Sequence, residues 1–209
     1  MTVLVDVALI VGGLALGRWI VRRVRSRGPR HAGGSSGEGA EAEPIIARDP
    51  LAGFPCKLGD VLIRVAERDE AWLAGAMVLE EERPVAALFV APEAGGDRAV
   101  FVRDAPGAGM TWLTPITKDG PAVTKDPPHA LEHEGVRYER ARRLPVRVTR
   151  IGTGVPSVGD RAVVAEYAGP AAMRLLVVAG SEQTLAWSGV ALAEGDYDVL
   201  PGSPDTLRR

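Results

Sequence analysis

Between residues 58 and 192 the chain alternates short apolar or β-branched runs with clusters of turn residues, and this alternation constrains the fold more than any other feature. The runs lie at 58–65, 72–79, 84–90, 99–102, 110–116, 136–141, 146–151, 161–166, 173–178 and 184–192. Gly, Pro and Asp crowd into 92–97, 104–109 and 118–121, and the interval up to Pro128 is also turn-rich. Short runs broken at intervals of about 8–15 residues predict antiparallel strands joined by hairpins. The stretch 67–83 is ambiguous. Its Ala, Leu and Glu suit a helix, but Gly75 and the β-run after Pro84 favour a strand hairpin. The expected fold is mainly β, an antiparallel sandwich or barrel-like domain.

The pattern has an internal echo. Leu58-Gly59-Asp60-Val61 resembles Val158-Gly159-Asp160-Arg161, Leu88-Phe89-Val90-Ala91 parallels Leu176-Val177-Val178-Ala179, and Thr111-Trp112-Leu113 parallels Ala186-Trp187-Ser188. This predicts two loosely related halves, 56–126 and 127–200, followed by a loose tail at 201–209. Gly-Asp before a strand is a turn signal, so Asp60 and Asp160 are expected to bond to backbone, with Trp72, Trp112 and Trp187 in the core.

The same residues carry a resemblance. A Gly-Asp opening strand, a Trp-Leu closing strand, Leu131-Glu132-His133-Glu134-Gly135-Val136-Arg137-Tyr138, and a later Tyr167 and Trp187-Ser188-Gly189 resemble the bacterial domain-of-unknown-function family numbered four-one-seven-eight, over residues 54–200. The resemblance implies a β-rich domain of unassigned activity. It transfers no catalytic or binding residues.

Ahead of the β-pattern stands an apolar segment. As a helix, residues 3–21 reach about 28 Å, close to a bilayer's hydrocarbon thickness. The strictly uncharged part is shorter, 7–17, a length that also fits a signal-peptide core or an interfacial helix. Asp6 and Arg18 lie towards its ends, where headgroups accept charge, and Trp19 belongs at that depth. A cleaved signal fits less well, because no Lys or Arg precedes the run and no small-x-small site follows it. The expectation is a transmembrane helix at 1–22. Arg22, Arg23, Arg25, Arg27 and Arg30 then keep the following chain in the cytoplasm, giving a single-pass bacterial inner-membrane protein with its N-terminus outside. Gly13 and Gly17 form a GxxxG pair, one route to a homodimer through the span. Residues 23–55 read as a basic, then Gly/Ser/Glu-rich flexible linker. Its Gly33-Gly34-Ser35-Ser36-Gly37 string lacks the strand and helix that a nucleophile elbow needs.

Charge and motifs narrow the function. Residues 51–209 carry 18 Lys plus Arg against 22 Asp plus Glu, a balance that argues against nucleic-acid binding. Cys56, the single cysteine, forms no internal disulfide and agrees with a reducing cytoplasm. Its neighbours mark it as a small apolar residue at a strand start, although Lys57 could lower its pKa. His129-Ala130-Leu131-Glu132-His133 matches HxxEH, in which His129 and His133 would bind zinc from one helix face while Glu132 activates water. Asp126-Pro127-Pro128 before it and Gly135 after it leave scarcely one turn for that helix. Walker, Rossmann and cysteine-ligand patterns are missing. The sequence therefore points away from an enzyme and calls for no cofactor. It points towards a membrane-anchored, non-enzymatic interaction or regulatory domain with a membrane-associated protein partner. A zinc-dependent hydrolase and a small-ligand sensor are the alternatives.

Overall fold

The computed structural model describes residues 49–93, 97–105, 107–117 and 125–202. The expected span at 1–22, its topology residues Trp19, Arg22, Arg23 and Arg25, and the Gly13 and Gly17 pair lie outside the described residues. Among those described, no helix is long and apolar enough to cross a membrane.

The described chain is built of strands: β1 (Val61–Arg64), β2 (Asp69–Trp72), β3 (Gly75–Glu80), β4 (Pro84–Ala91), β5 (Arg98–Arg103), β6 (Met110–Pro115), β7 (Ala130–His133), β8 (Val136–Gly152), β9 (Arg161–Ala168), β10 (Met173–Gly180), β11 (Thr184–Leu192) and β12 (Tyr197–Leu200). The larger sheet runs β3-β4-β5-β6-β11-β10-β9-β8, and β8 returns to pair with β3, closing an eight-stranded antiparallel barrel. β7 pairs only with the leading end of β8. The smaller sheet, β12-β1-β2, joins residues 61–64 to residues 197–200.

The barrel consists of two four-stranded meanders, β3 to β6 and β8 to β11, meeting at two seams, β6–β11 and β3–β8. Only one of the three sequence parallels falls on corresponding strands: Trp112 on β6 and Trp187 on β11, each last in its meander. Gly59-Asp60 opens β1 outside the barrel, whereas Gly159-Asp160 opens β9 within it. Residues 88–91 lie on β4, second in its meander, and 176–179 on β10, third in its own.

Side chains alternate across each strand, so every second residue turns inward. Met77, Leu88, Phe101, Leu113, Val148, Val164, Leu176 and Trp187 come from all eight barrel strands and form one buried cluster, which fills the interior. Outside, the first meander is covered by the small sheet and by Leu51, Phe54 and Cys56, with Trp112 and Phe89 in the same cluster. The second meander is covered by Leu131 and Tyr138 of the β7–β8 hairpin, packed on Tyr167, Leu175 and Val177.

Several boundaries move. Leu51 and Phe54, read as the end of the flexible linker 23–55, are buried at 3% and 6% exposure because they cap the first meander. The runs 136–141 and 146–151 are one 17-residue strand. Pro145 stands between the stretch paired with β7 and the stretch paired with β3, where a residue without an N–H is tolerated. β2, β7 and β12 are only four residues each, too short to show a period. The ambiguous stretch 67–83 forms β2 and β3.

Asp60 behaves as its turn signal predicts. Its carboxylate accepts the backbone N–H groups of Lys57 at 2.8 Å and Gly202 at 2.9 Å. The second bond docks Pro201 and Gly202, read as the start of a loose tail, beside β1. A Cβ on Gly202 would lie 1.7 Å from the Gly59 carbonyl oxygen, so only glycine approaches this closely. Asp160, by contrast, is exposed. Trp112 and Trp187 are buried, but Trp72 is 40% exposed on the outer face of the small sheet, correcting its expected core position.

Candidate functional site

One end of the barrel breaks its own apolar rule. On β5 the inward alternation Ala99, Phe101 continues to Arg103, and on β9 the alternation Ala162, Val164 continues to Glu166. On β10 Arg174 precedes Leu176 by two residues, and on β8 Arg142 precedes Leu144 by two. The antiparallel registers place all four at the same end: Glu166 is paired with Leu176 and with Arg142, and Ala86, at the start of β4, is paired with Arg103. A register shift between Arg140 and Arg142 brings the latter into this inward row.

Arg103, Glu166 and Arg174 rim a cleft of about 750 Å³, walled by the 107–109, 171–172 and 193–196 connections. Arg103 and Glu166 form an ion pair, Nε to Oε2, at 3.8 Å. Arg103 is 41% exposed and Glu166 20%. Burial raises the Glu166 carboxyl above the ordinary carboxylate range, against the opposing pull of Arg103, Arg142 and Arg174. Arg174 donates to the Met173 carbonyl at 2.8 Å, which orients its guanidinium. Arg103 and Arg142 also line an adjoining cleft of about 530 Å³ with Arg83 and Asp104. Arg103 and Arg174 share the cleft with Glu166, Glu194 and Asp196, and Arg142 stands opposite Glu166 in the β8–β9 ladder. The guanidiniums present paired donors of a geometry that matches carboxylate and phosphate.

The HxxEH residues are not brought together. Ala130 to His133 form a strand, not a helix, and the two-residue turn Glu134-Gly135, with φ of 51° and 73°, folds it onto β8. Residues four apart on an extended chain are separated by ~13 Å, so His129 and His133 do not share a metal. The His129 ring nitrogens instead lie 3.0 and 3.3 Å from Nη2 of Arg140. Glu132 is exposed opposite Arg137, and His133 sits opposite Val136 at the turn. Carboxylates that could supply a third ligand are engaged elsewhere: Glu166 faces Arg103, and Glu182 accepts from the Ser157 hydroxyl. Among the described residues, no group of three or more His, Cys, Asp and Glu is placed to hold a metal ion. Tyr167 donates its hydroxyl to the Pro128 carbonyl at 2.8 Å, and Arg140 donates to the Pro127 carbonyl at 2.5 Å, so both pin the 127–129 segment.

The sequence alone did not single out Arg103, Arg142, Arg174 or Glu166 as members of one site. The signal was present as phase: each charge occupies a position two residues from an inward apolar one. Arginines in mixed-charge strands do not reveal this phase until the barrel fixes which face is inward. No protein-family model, no curated protein and no solved structure matches this chain.

Proposed function

We propose that this chain is a membrane-tethered, non-enzymatic binding domain of the bacterial cytoplasm, and that its ligand-receiving end is the arginine-rimmed barrel mouth. One observation carries this reading: Arg103, Arg142 and Arg174 break the inward apolar rows of β5, β8 and β10 at the end of the barrel where Glu166 lies, with Arg103, Arg174 and Glu166 at the rim of a cleft of about 750 Å³. The guanidiniums offer paired donors to an oxyanion beside the Glu166, Glu194 and Asp196 carboxylates, and the open rim gives access. The N-terminal apolar segment and its arginines supply the tether. The Gly-Asp, Trp-Leu and Trp-Ser-Gly strings support placing the domain with the bacterial family it resembles, which fits a binding module and names no ligand.

The test is thermal melting of the full-length protein in detergent at constant ionic strength. The panel holds carboxylates, phosphates, an acidic peptide, and matched cations as controls. The expected result is a rise in Tm with at least one anion, abolished in Arg103→Gln plus Arg174→Gln. Equal shifts with cations, or anion shifts that survive in the double variant, would remove the mouth as the binding end.

A further inference from the structure

The small sheet has an apolar outer face. Among the described residues, the large apolar side chains left exposed are Val65, Trp72 and Leu200, at 49%, 40% and 51%, and all three lie on or beside this one sheet. The registers put them on one side. Val61 of β1 stands between Leu200 of β12 and Trp72 of β2, and Ile63 stands between Asp198 and Glu70. Val65, one residue beyond β1, continues the alternation of Val61 and Ile63 and donates its N–H to the Asp196 carbonyl at 3.0 Å. The other side of the sheet sends Leu62, Ala71, Tyr197 and Val199 into the cluster over the first meander. Apolar side chains scattered singly over a surface are ordinary, but a face that gathers them marks an interaction surface.

The charges on this face are of one sign. Glu70 and Asp198 flank Ile63 and are exposed, and the outward positions of the three strands carry no Lys or Arg. Arg64 turns to the inner side, over the Trp112 ring, and pairs with Glu67, while Arg98 reaches Asp69. The β1–β2 turn adds Glu67 and Arg68, and the other end of β1 adds Asp60 and Lys57, so neither end reverses the sign. An anionic membrane surface is repelled by such a face, and a second copy would set acid against acid. The size is also wrong for a stable dimer. Three four-residue strands make a face of about 10 Å by 13 Å, a small part of the ~800 Å² that each partner gives to a standard interface. We propose that this face docks a short amphipathic segment of a partner protein, its apolar side chains on the Leu200–Val61–Trp72 row and its Lys or Arg on Asp198 and Glu70. Trp72 is the anchor, because an aromatic ring buries a large area with few rotatable bonds. The two carboxylates lie two strand spacings, about 10 Å, apart and set the separation of the segment's cations. The arginine mouth uses none of these residues, so the two surfaces stand or fall separately.

The probe is a labelled peptide of Leu and Lys in an amphipathic repeat, titrated with the full-length protein in detergent and read by fluorescence anisotropy against protein-free micelles. A Leu/Glu peptide and a Ser/Lys peptide are the controls. Wild type should bind the Leu/Lys peptide saturably and neither control. Trp72→Ser should weaken binding by about tenfold or more. Glu70→Lys plus Asp198→Lys should lose the Leu/Lys peptide and gain the Leu/Glu one, while Arg103→Gln plus Arg174→Gln should bind as wild type does. No saturable binding by wild type, or equal binding of the Leu/Lys and Leu/Glu peptides, overturns the proposal. So does binding that survives both Trp72→Ser and the charge reversal. Self-association in sedimentation that Trp72→Ser abolishes gives the face to a second copy instead, and peptide binding seen only in a chain ending at Gly202 gives it to residues 203–209. If Trp72→Ser does not fold, the charge reversal at two exposed residues decides alone.

Discussion

At the residue scale, Cys56 illustrates how burial overrides a neighbour in sequence. Lys57 beside it suggests a lowered pKa, but the thiol is fully buried, 3.8 Å from the Met110 sulfur, and its pKa is pushed up to about 12 by burial first and by the Asp60 charge second. The thiol therefore stays protonated and sheltered at neutral pH. The linkage has a definite sign. An unfolded chain ionises this thiol near its ordinary value of 9.0 while the folded chain resists until about 12, so the contribution to stability is whole below pH 9.0 and is lost as pH rises between the two. Chemical denaturation across that window should show a falling midpoint whose slope diminishes in Cys56→Ala. Cys56→Ser should cost about 1–3 kcal/mol at neutral pH, since its hydroxyl has only a thioether as partner. Labelling by a thiol reagent in the native state, at a rate independent of denaturant, would contradict the buried placement. The apolar character of Cys56 was legible from its neighbours; the sign of its pKa shift follows first from burial, which only the packed fold supplies, and Asp60, folded back beside it by bonds to Lys57 and Gly202, adds to it.

At the element scale, the seams between meanders are the critical joints. β6 and β11 pair from Met110 opposite Leu192 to Pro115 opposite Trp187, and Gly189 stands opposite Leu113 in that ladder. A Cβ on Gly189 would fall 1.8 Å from the Trp112 carbonyl oxygen and 2.9 Å from the Leu113 Cα. Both are backbone atoms of the facing strand, so no side chain can swing away to make room. Gly189→Ala should therefore destabilise by about 2 kcal/mol or more, whereas an exposed-strand alanine elsewhere changes little. A melting curve for Gly189→Ala that overlays wild type would show that this seam has slack. Strands with apolar runs were readable because burial on both faces imposes the composition, as in Ala76 to Leu79 and Ala86 to Ala91. Short polar strands such as Asp69–Trp72 were not, because their pairing to β1 supplies what their side chains do not. The same limit hid the arginine mouth: inward and outward charges look alike until closure of the barrel assigns the faces.

At the scale of the whole molecule, the closures join distant chain. β1 pairs with β12, β3 with β8 and β6 with β11, so folding depends on contacts across most of the domain, the class of topology that folds in milliseconds to seconds. The described core clusters draw on residues from Leu51 onwards. The first thirty residues carry the proposed tether. An apolar run followed by five arginines favours insertion with the arginines on the cytoplasmic side, and each arginine near anionic headgroups adds about 1 kcal/mol of attraction. The two parts should come apart cleanly. Expressed in bacteria, the full-length chain should sediment with membranes and resist extraction by high salt and by alkaline carbonate. The variant lacking 1–27 should appear in the soluble fraction with an unchanged far-UV spectrum and Tm. Release of the full-length protein by salt alone would reduce the tether to surface attraction, and its appearance in the soluble fraction would remove the span. A truncated variant that lost cooperative melting would show instead that the apolar segment belongs to the fold.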